Sequence, residues 1–162
     1  MAGSSELIAA EADYAKEALA KSQPKTPWPL YVVAALCFVT DRILKSVALS
    51  GFSLGQGSSI SFILFRNTGI AFSIPVPGLI FWPAAVFAVI LLLATFIRSI
   101  KRDRRVAGIL FFIILGAASN LIDRATQHAT IDYLLLFGRS AVNIADGMIV
   151  GGLLTLALQK KR

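Results

Sequence analysis

The sequence predicts a membrane protein, mainly α: a four-transmembrane-helix bundle with a small β-sheet on its outer side. More than half of the 162 residues are hydrophobic (56%) and the mean hydropathy is +0.73, more apolar surface than one soluble domain of this length can hide. The apolar residues fall into four segments of roughly spanning length. The basic residues bunch beside those segments instead of spreading over a surface.

Residues 1–27 are polar and mixed in charge, and are expected to form a cytoplasmic tail distinct from the four-helix domain of residues 28–162. Within the tail Leu7, Ala10, Tyr14 and Ala18 recur at helical spacing and Glu17 precedes Lys21 by one turn, which fits a surface helix ended by Pro24 and Pro27; a disordered tail is the equal alternative. No short apolar core with a small-residue cleavage site follows a basic start, so the tail does not read as a secretory signal.

The first apolar segment runs from Trp28 to about Leu49 and contains Asp41, Arg42 and Lys45; Asp41 and Lys45 are one turn apart and form an expected pair. The second, Gly78 to Ile97, carries no charge over a full spanning length. The third runs from about Val106 to Ile122 and the fourth from Val142 to about Leu158. Basic clusters stand at Lys16, Lys21 and Lys25, in the SIKRDRR stretch around Arg98–Arg105, and at Lys160–Arg162. Basic loops face the cytoplasm, so both termini and the SIKRDRR loop belong inside, and the connections near 50–77 and 123–141 belong outside. Those outer connections alternate in strand fashion (Ser59 and Ser61 against Ile60 and Phe62; TIDYLLLFG) and are predicted to pair into a sheet at the interface, where backbone groups can be satisfied.

The net charge of +7 reads as a topology signal, and no nucleic-acid partner is expected. Cys37 lies inside an apolar run and reads as a buried, inert thiol. With one histidine, His128, and one cysteine, the chain offers neither a Cys–His couple nor a zinc set, and no metal or other cofactor is expected. No phosphate loop, GxSxG or HExxH motif occurs.

The acids are more telling. Asp41, Asp123, Asp132 and Asp146 all fall in or beside the outer half of the apolar region. Asn120, Asp123 and Arg124 share one face at the outer end of the third helix, and Asn143 and Asp146 repeat the spacing at the outer start of the fourth. Each alone has an ordinary reading: Asp146 as a helix cap, Asp123 as the partner of Arg124 or another cation. Only Arg66 and Arg139 remain outside besides Arg124, so Asp132 and Asp146 are candidates for an underneutralised pair. Two adjacent carboxylates do not both ionise easily, and such a pair can hold a water between a base and an acid. A relay for ion translocation would need acids across the full bilayer; these lie on one side.

DRILK (41–45), RNTGIAFS (66–73), GAASNLIDR (116–124), IDY (131–133) and VNIAD (142–146) resemble, in order and spacing, the sequence blocks of the lipoprotein signal peptidase (type II signal peptidase) family. The resemblance implies an inner-membrane aspartic endopeptidase, with four spanning helices and a small periplasmic sheet, that removes signal peptides from prolipoproteins just before a diacylglyceryl cysteine. It implies Asp132 and Asp146 as catalytic residues, with Asn67, Asn120, Asp123, Arg124 and Asn143 in support. Asn67 and Arg124 would hold the substrate backbone, and Asp41 and Lys45 would shape the first helix. It further implies inhibition by globomycin. The lipid of such a substrate would lie against apolar helix faces, where Phe72 and the stretch around Trp82 could meet it or could equally be ordinary lipid-facing aromatics. The chain departs from the pattern at Arg42, Leu44, Ser119, Tyr133, Val142 and Gly147, and its 132–146 connection is short.

Overall fold

The structure, a computed structural model, describes residues 13–14, 28–69 and 76–159. The tail helix expected within residues 1–27 (Asp13 and Tyr14 apart), the contact at Phe72 and the basic cluster at 160–162 lie outside the described residues. The elements are α1 (Trp28–Leu49), β1 (Ile60–Asn67), α2 (Gly78–Arg102), α3 (Arg104–Gln127), β2 (Thr130–Leu136), β3 (Ser140–Val142) and α4 (Ile144–Leu158).

One expected loop is absent. The SIKRDRR stretch continues α2 to Arg102 and opens α3 at Arg104, leaving Asp103 as the only residue between them. Asp103 is extended, its carboxylate accepts from the N–H groups of Arg105 and Val106, and its own N–H donates to Ser99 O. The charges that end the apolar run therefore do not end the helix; Lys101 and Arg102 occupy the last turn of α2, where cations suit the helix dipole.

Among the described residues two helices, α2 and α3, are long and apolar enough to cross a membrane; at 25 residues, α2 is about 37 Å long against a hydrocarbon core of about 30 Å. The outward faces are apolar throughout: Leu36 and Ile43 on α1, Leu79, Phe87 and Ile97 on α2, and Leu154 on α4 are all more than half exposed. In water such a surface would drive aggregation; against lipid it is the expected exterior.

Helix α3 is the centre, packing on the other three helices through a stripe that includes Ile109, Ile113, Gly116, Ser119 and Asp123, three or four residues apart. Its approach to α4 depends on glycine. A Cβ at Gly116 would lie 2.8 Å from Ala145 O and 2.9 Å from Met148 Cβ. With no hydrophobic force between helices in lipid, such close contact is a principal source of association. Gly116→Val is expected to destabilise the fold by about 1–3 kcal/mol, the usual cost of overpacking, and to displace the first turn of α4. Thermal unfolding in detergent checks this; an unchanged midpoint would show that α4 relaxes freely.

The sheet has the order β1-β2-β3, antiparallel throughout, at the C-terminal ends of α1 and α3. The two predicted strand-like pieces do pair. Register shifts between Phe62 and Phe65, where β1 carries one extra residue, so that Asn67 comes opposite Thr130 and diagonal to Asp132 on one face. The burial on β1 is not that of a soluble sheet: Ser61 is buried, its hydroxyl donating to Gly55 O at 2.7 Å, while Ile60 is exposed. On β2, Ile131 and Tyr133 are fully buried against Ala48 of α1, and Asp132 takes the alternate side. The short β2–β3 connection turns through Phe137 and Gly138, both at positive φ, closed by the Arg139 N–H to Leu136 O.

Candidate active site

Asp146 lies in the first turn of α4. Asn143 is the N-cap: its Oδ1 accepts from the Asp146 N–H at 2.8 Å, and Asp146 Oδ2 accepts in return from the Asn143 N–H at 3.3 Å. This capping box fixes the aspartate against its own helix. The same Asn143 donates from Nδ2 to Asp132 Oδ1 at 2.6 Å. One asparagine therefore ties both acids together. Asn67 Nδ2 donates to the other oxygen of Asp132 at 3.2 Å, and Asn120 Nδ2 donates to Asp146 Oδ1 at 2.8 Å.

Both carboxylates are met by neutral amides, with no cation in direct contact among the described residues. Asp132 is fully buried. Burial, and then the facing Asp146 charge, push its carboxyl up to about 6, against the pull of Asn67, Asn143 and the more distant Lys45. It therefore takes a proton far more readily than an exposed aspartate would.

Behind the pair stands a cluster of four charges, two of each sign. Lys45 Nζ, fully buried, reaches Asp41 Oδ2 at 2.9 Å and Asp123 Oδ2 at 2.8 Å, and donates to Asn120 Oδ1 at 2.9 Å. The last bond orients the Asn120 amide so that its nitrogen faces Asp146. Arg42 bonds the other oxygen of Asp123 and also the Ser119 carbonyl. Asp123 Oδ2 accepts from the Ile131 N–H at 3.2 Å, which pins the start of β2 to α3.

The expected Asp41–Lys45 pair is present. Asp123, however, takes Arg42 and Lys45, not Arg124, since consecutive helical residues point about 100° apart. Arg124 instead donates from Nε to Thr130 Oγ1 at 2.9 Å and from its terminal nitrogen to Gly69 O, with its guanidinium 4.3 Å from the centre of the Phe81 ring. Arg66 and Arg139 are exposed, as is His128, which closes α3 in the left-handed region; Cys37 is half-buried. Tyr133, Ser119 and Arg42 were visible in the sequence only as departures from a pattern. All three bond members of this network.

In front of Asp146 opens a cavity of about 840 Å³; Asp132 and Asn143, buried behind it, do not line it. Asp146, Asn67, Asn120 and Arg124 form its polar end, and α2 supplies an apolar wall through residues such as Phe81 and Leu92. The β2–β3 turn lines the rim at Gly138–Ser140. An apolar groove with a few convergent polar groups at one end is the usual form of a ligand site.

The chain is 28% identical, over 139 residues, to the lipoprotein signal peptidase of Bacillus subtilis (strain 168), covering 80% of this chain and 90% of that relative. It is 30% identical over 144 residues to the lipoprotein signal peptidase of Solibacter usitatus (strain Ellin6076), covering 80% and 88% respectively. A bacterial membrane enzyme solved by the in meso method at 2.3 Å shares the fold, with a TM-score of 0.64 at 18% identity over 83% of this chain and 93% of that one. The family model of signal peptidase (SPase) II matches residues 33–160, and the chain belongs to that family.

Proposed function

We propose that this membrane peptidase removes the signal peptide from diacylglyceryl-modified prolipoproteins, cleaving before the lipidated cysteine, with Asp132 and Asp146 activating water between them. The observation that carries the reading is the linkage of both carboxylates through Asn143, with Asp146 exposed to the polar end of an apolar cavity. The pair titrates as a unit, one proton shared between two acids. The ionised member takes a proton from water as the water oxygen attacks the scissile carbonyl, and the protonated member donates to the carbonyl oxygen. Collapse of the tetrahedral intermediate returns a proton to the leaving amine, breaks the C–N bond and regenerates the shared proton.

The remaining residues take supporting roles. Asn67, Asn120 and Asn143 hold the two acids, Arg124 and Asn67 meet the substrate backbone at the cavity mouth, and Asp123, Asp41 and Lys45 brace the helices. The lipid of the substrate occupies the apolar wall beside α2. A globomycin-type cyclic peptide would fill the same groove.

Residues 28–162 form the peptidase domain, with all four helices spanning the inner membrane; α4, at 15 residues, suits a span that starts at the interface. The basic stretch at Arg98–Arg105 lies at the end of α2 and α3 opposite the acids, which supports cytoplasmic termini and a periplasmic site. The test is incubation of purified protein with a diacylglyceryl prolipoprotein, with and without globomycin. Cleavage that needs the lipid and stops with the inhibitor is expected; failure to cleave the lipidated substrate sinks the reading.

A further inference from the structure

We infer that Tyr133 is a positioning residue for Asp146, acting through the N-terminus of α4. This rests on the reading of Asp132 and Asp146 as the catalytic pair. The first amides of a helix have no partners within it, and in α4 they are met by three separate parts of the chain. The Ile144 N–H donates to the Tyr133 hydroxyl at 2.9 Å, the Ala145 N–H to Asp41 Oδ1 at 3.2 Å, and the Asp146 N–H to Asn143 Oδ1 at 2.8 Å. Tyr133 in turn donates to Asp41 Oδ1 at 2.8 Å. The cap is thus a composite of β2, α1 and the N-cap residue.

The consequence is geometric. Tyr133 is the residue after Asp132 on β2, so one strand presents one acid on one face and, from the other face, holds the helix turn that carries the second acid. Nothing else among the described hydrogen bonds ties β2 to the backbone of that turn so directly. The Tyr133 ring is fully buried and packs 5.6 Å from the Phe62 ring, which fixes where its hydroxyl points. Burial pushes the hydroxyl well above its ordinary range, so it remains a donor to Asp41. Asp41 is held at its other oxygen by Ser119 at 2.6 Å and Lys45 at 2.9 Å, so the acceptor does not turn away. Tyr133 and Ser119, two departures from the family pattern, therefore meet on opposite oxygens of one carboxylate.

Tyr133→Phe removes the hydroxyl and keeps the ring. Ser119→Ala is the control, because it removes the hydrogen bond to the same Asp41, with the longer ones that Ser119 Oγ accepts from Lys45 at 3.3 Å and Arg42 at 3.4 Å, and none of these reaches the backbone of α4. With cleavage established for the unaltered enzyme and lost in Asp146→Asn, Tyr133→Phe is expected to lower kcat about tenfold with KM within twofold. Ser119→Ala is expected to change kcat less than twofold. Hydrogen exchange read independently of activity should show the Ile144 amide exchanging at least tenfold faster in Tyr133→Phe only. Unchanged kcat in Tyr133→Phe, or equal losses in the two variants, overturns the inference while leaving the catalytic pair intact. Unchanged exchange at Ile144 overturns it whatever the kinetics. Cleavage retained in Asp146→Asn instead removes the reading on which it rests.

Discussion

Asp132→Asn and Asp146→Asn are each expected to lower kcat by about a thousandfold or more, while Asp132→Asn also makes the folded protein more stable at neutral pH. An amide in place of either acid cannot take a proton from water, so the shared-proton chemistry ends. The stability gain follows from the environment of Asp132. Its carboxyl is raised from 3.8 to about 6 in the folded state, chiefly by burial. The folded protein therefore binds this proton more tightly than the unfolded chain does. The stability contributed by the carboxyl is complete below about 3.8 and is lost as pH rises through about 6. A shift of about two units corresponds to about 3 kcal/mol. Asparagine mimics the protonated acid at every pH, but its NH2 must face one of two donors, Asn143 at 2.6 Å or the looser Asn67 at 3.2 Å. That mismatch costs about 1 kcal/mol, leaving a net gain of about 1–2 kcal/mol above pH 7 and a net loss of about 1 kcal/mol well below pH 4. Thermal unfolding of the variant and the parent across pH 4–8 measures it. Parallel curves at all pH values would mean that Asp132 ionises without penalty.

That gain has a functional meaning. The site keeps an acid where burial disfavours its charge, and surrounds it with amides where a cation would have neutralised it. Lys45 comes near enough to moderate the pair without touching either carboxylate, because Asn120 stands between: it accepts from Lys45 and donates to Asp146. A direct ion pair would hold Asp146 ionised and would end the proton sharing proposed for the pair.

The helices were legible because apolar runs mark spans: α1 coincides with its predicted limits, and the two strand-like pieces pair as expected. Positions of charge were read less well. Arg98–Arg105 end the apolar run but not the helix, since Asp103 caps α3 after a single extended residue. The acids at 132 and 146 stood out as an underneutralised pair because few outer cations were available, yet the cation that matters is Lys45, which the sequence assigned to Asp41 alone. Spacing along one helix identifies neighbours on that helix; it does not say that the same ammonium also meets Asp123 and Asn120 from α3. Asn143, by contrast, was placed by its three-residue spacing to Asp146, and the capping box is what that spacing makes.

Lys45→Met is expected to destabilise the protein by about 3–5 kcal/mol, the cost of stripping the partner from buried charges, and to reduce cleavage by more than its effect on folding explains. In the parent, Asp41 and Asp123 are balanced by Lys45 and Arg42. Removing Lys45 leaves one uncompensated negative charge in a region where Asp41 and Asp123 are both fully buried. It also loosens the Asn120 amide, whose oxygen loses the Lys45 bond at 2.9 Å and keeps the one from Asn143 Nδ2 at 3.3 Å; if the amide turns, an oxygen faces Asp146 in place of a nitrogen. The two effects separate in Lys45→Met/Asp123→Asn. The double variant again has one carboxylate and one cation in the cluster, with Arg42 still bonded to Ser119 O at 3.2 Å. It should recover about half of the lost stability, because the unpaired charge is gone, yet recover no cleavage, because the Asn120 oxygen still lacks the Lys45 ammonium and keeps only the longer bond from Asn143 Nδ2 at 3.3 Å. Unfolding midpoints and kcat for the folded fraction of each variant measure the two terms. Recovery of cleavage together with stability would assign Lys45 to charge balance alone and leave the orientation of Asn120 to its other partners.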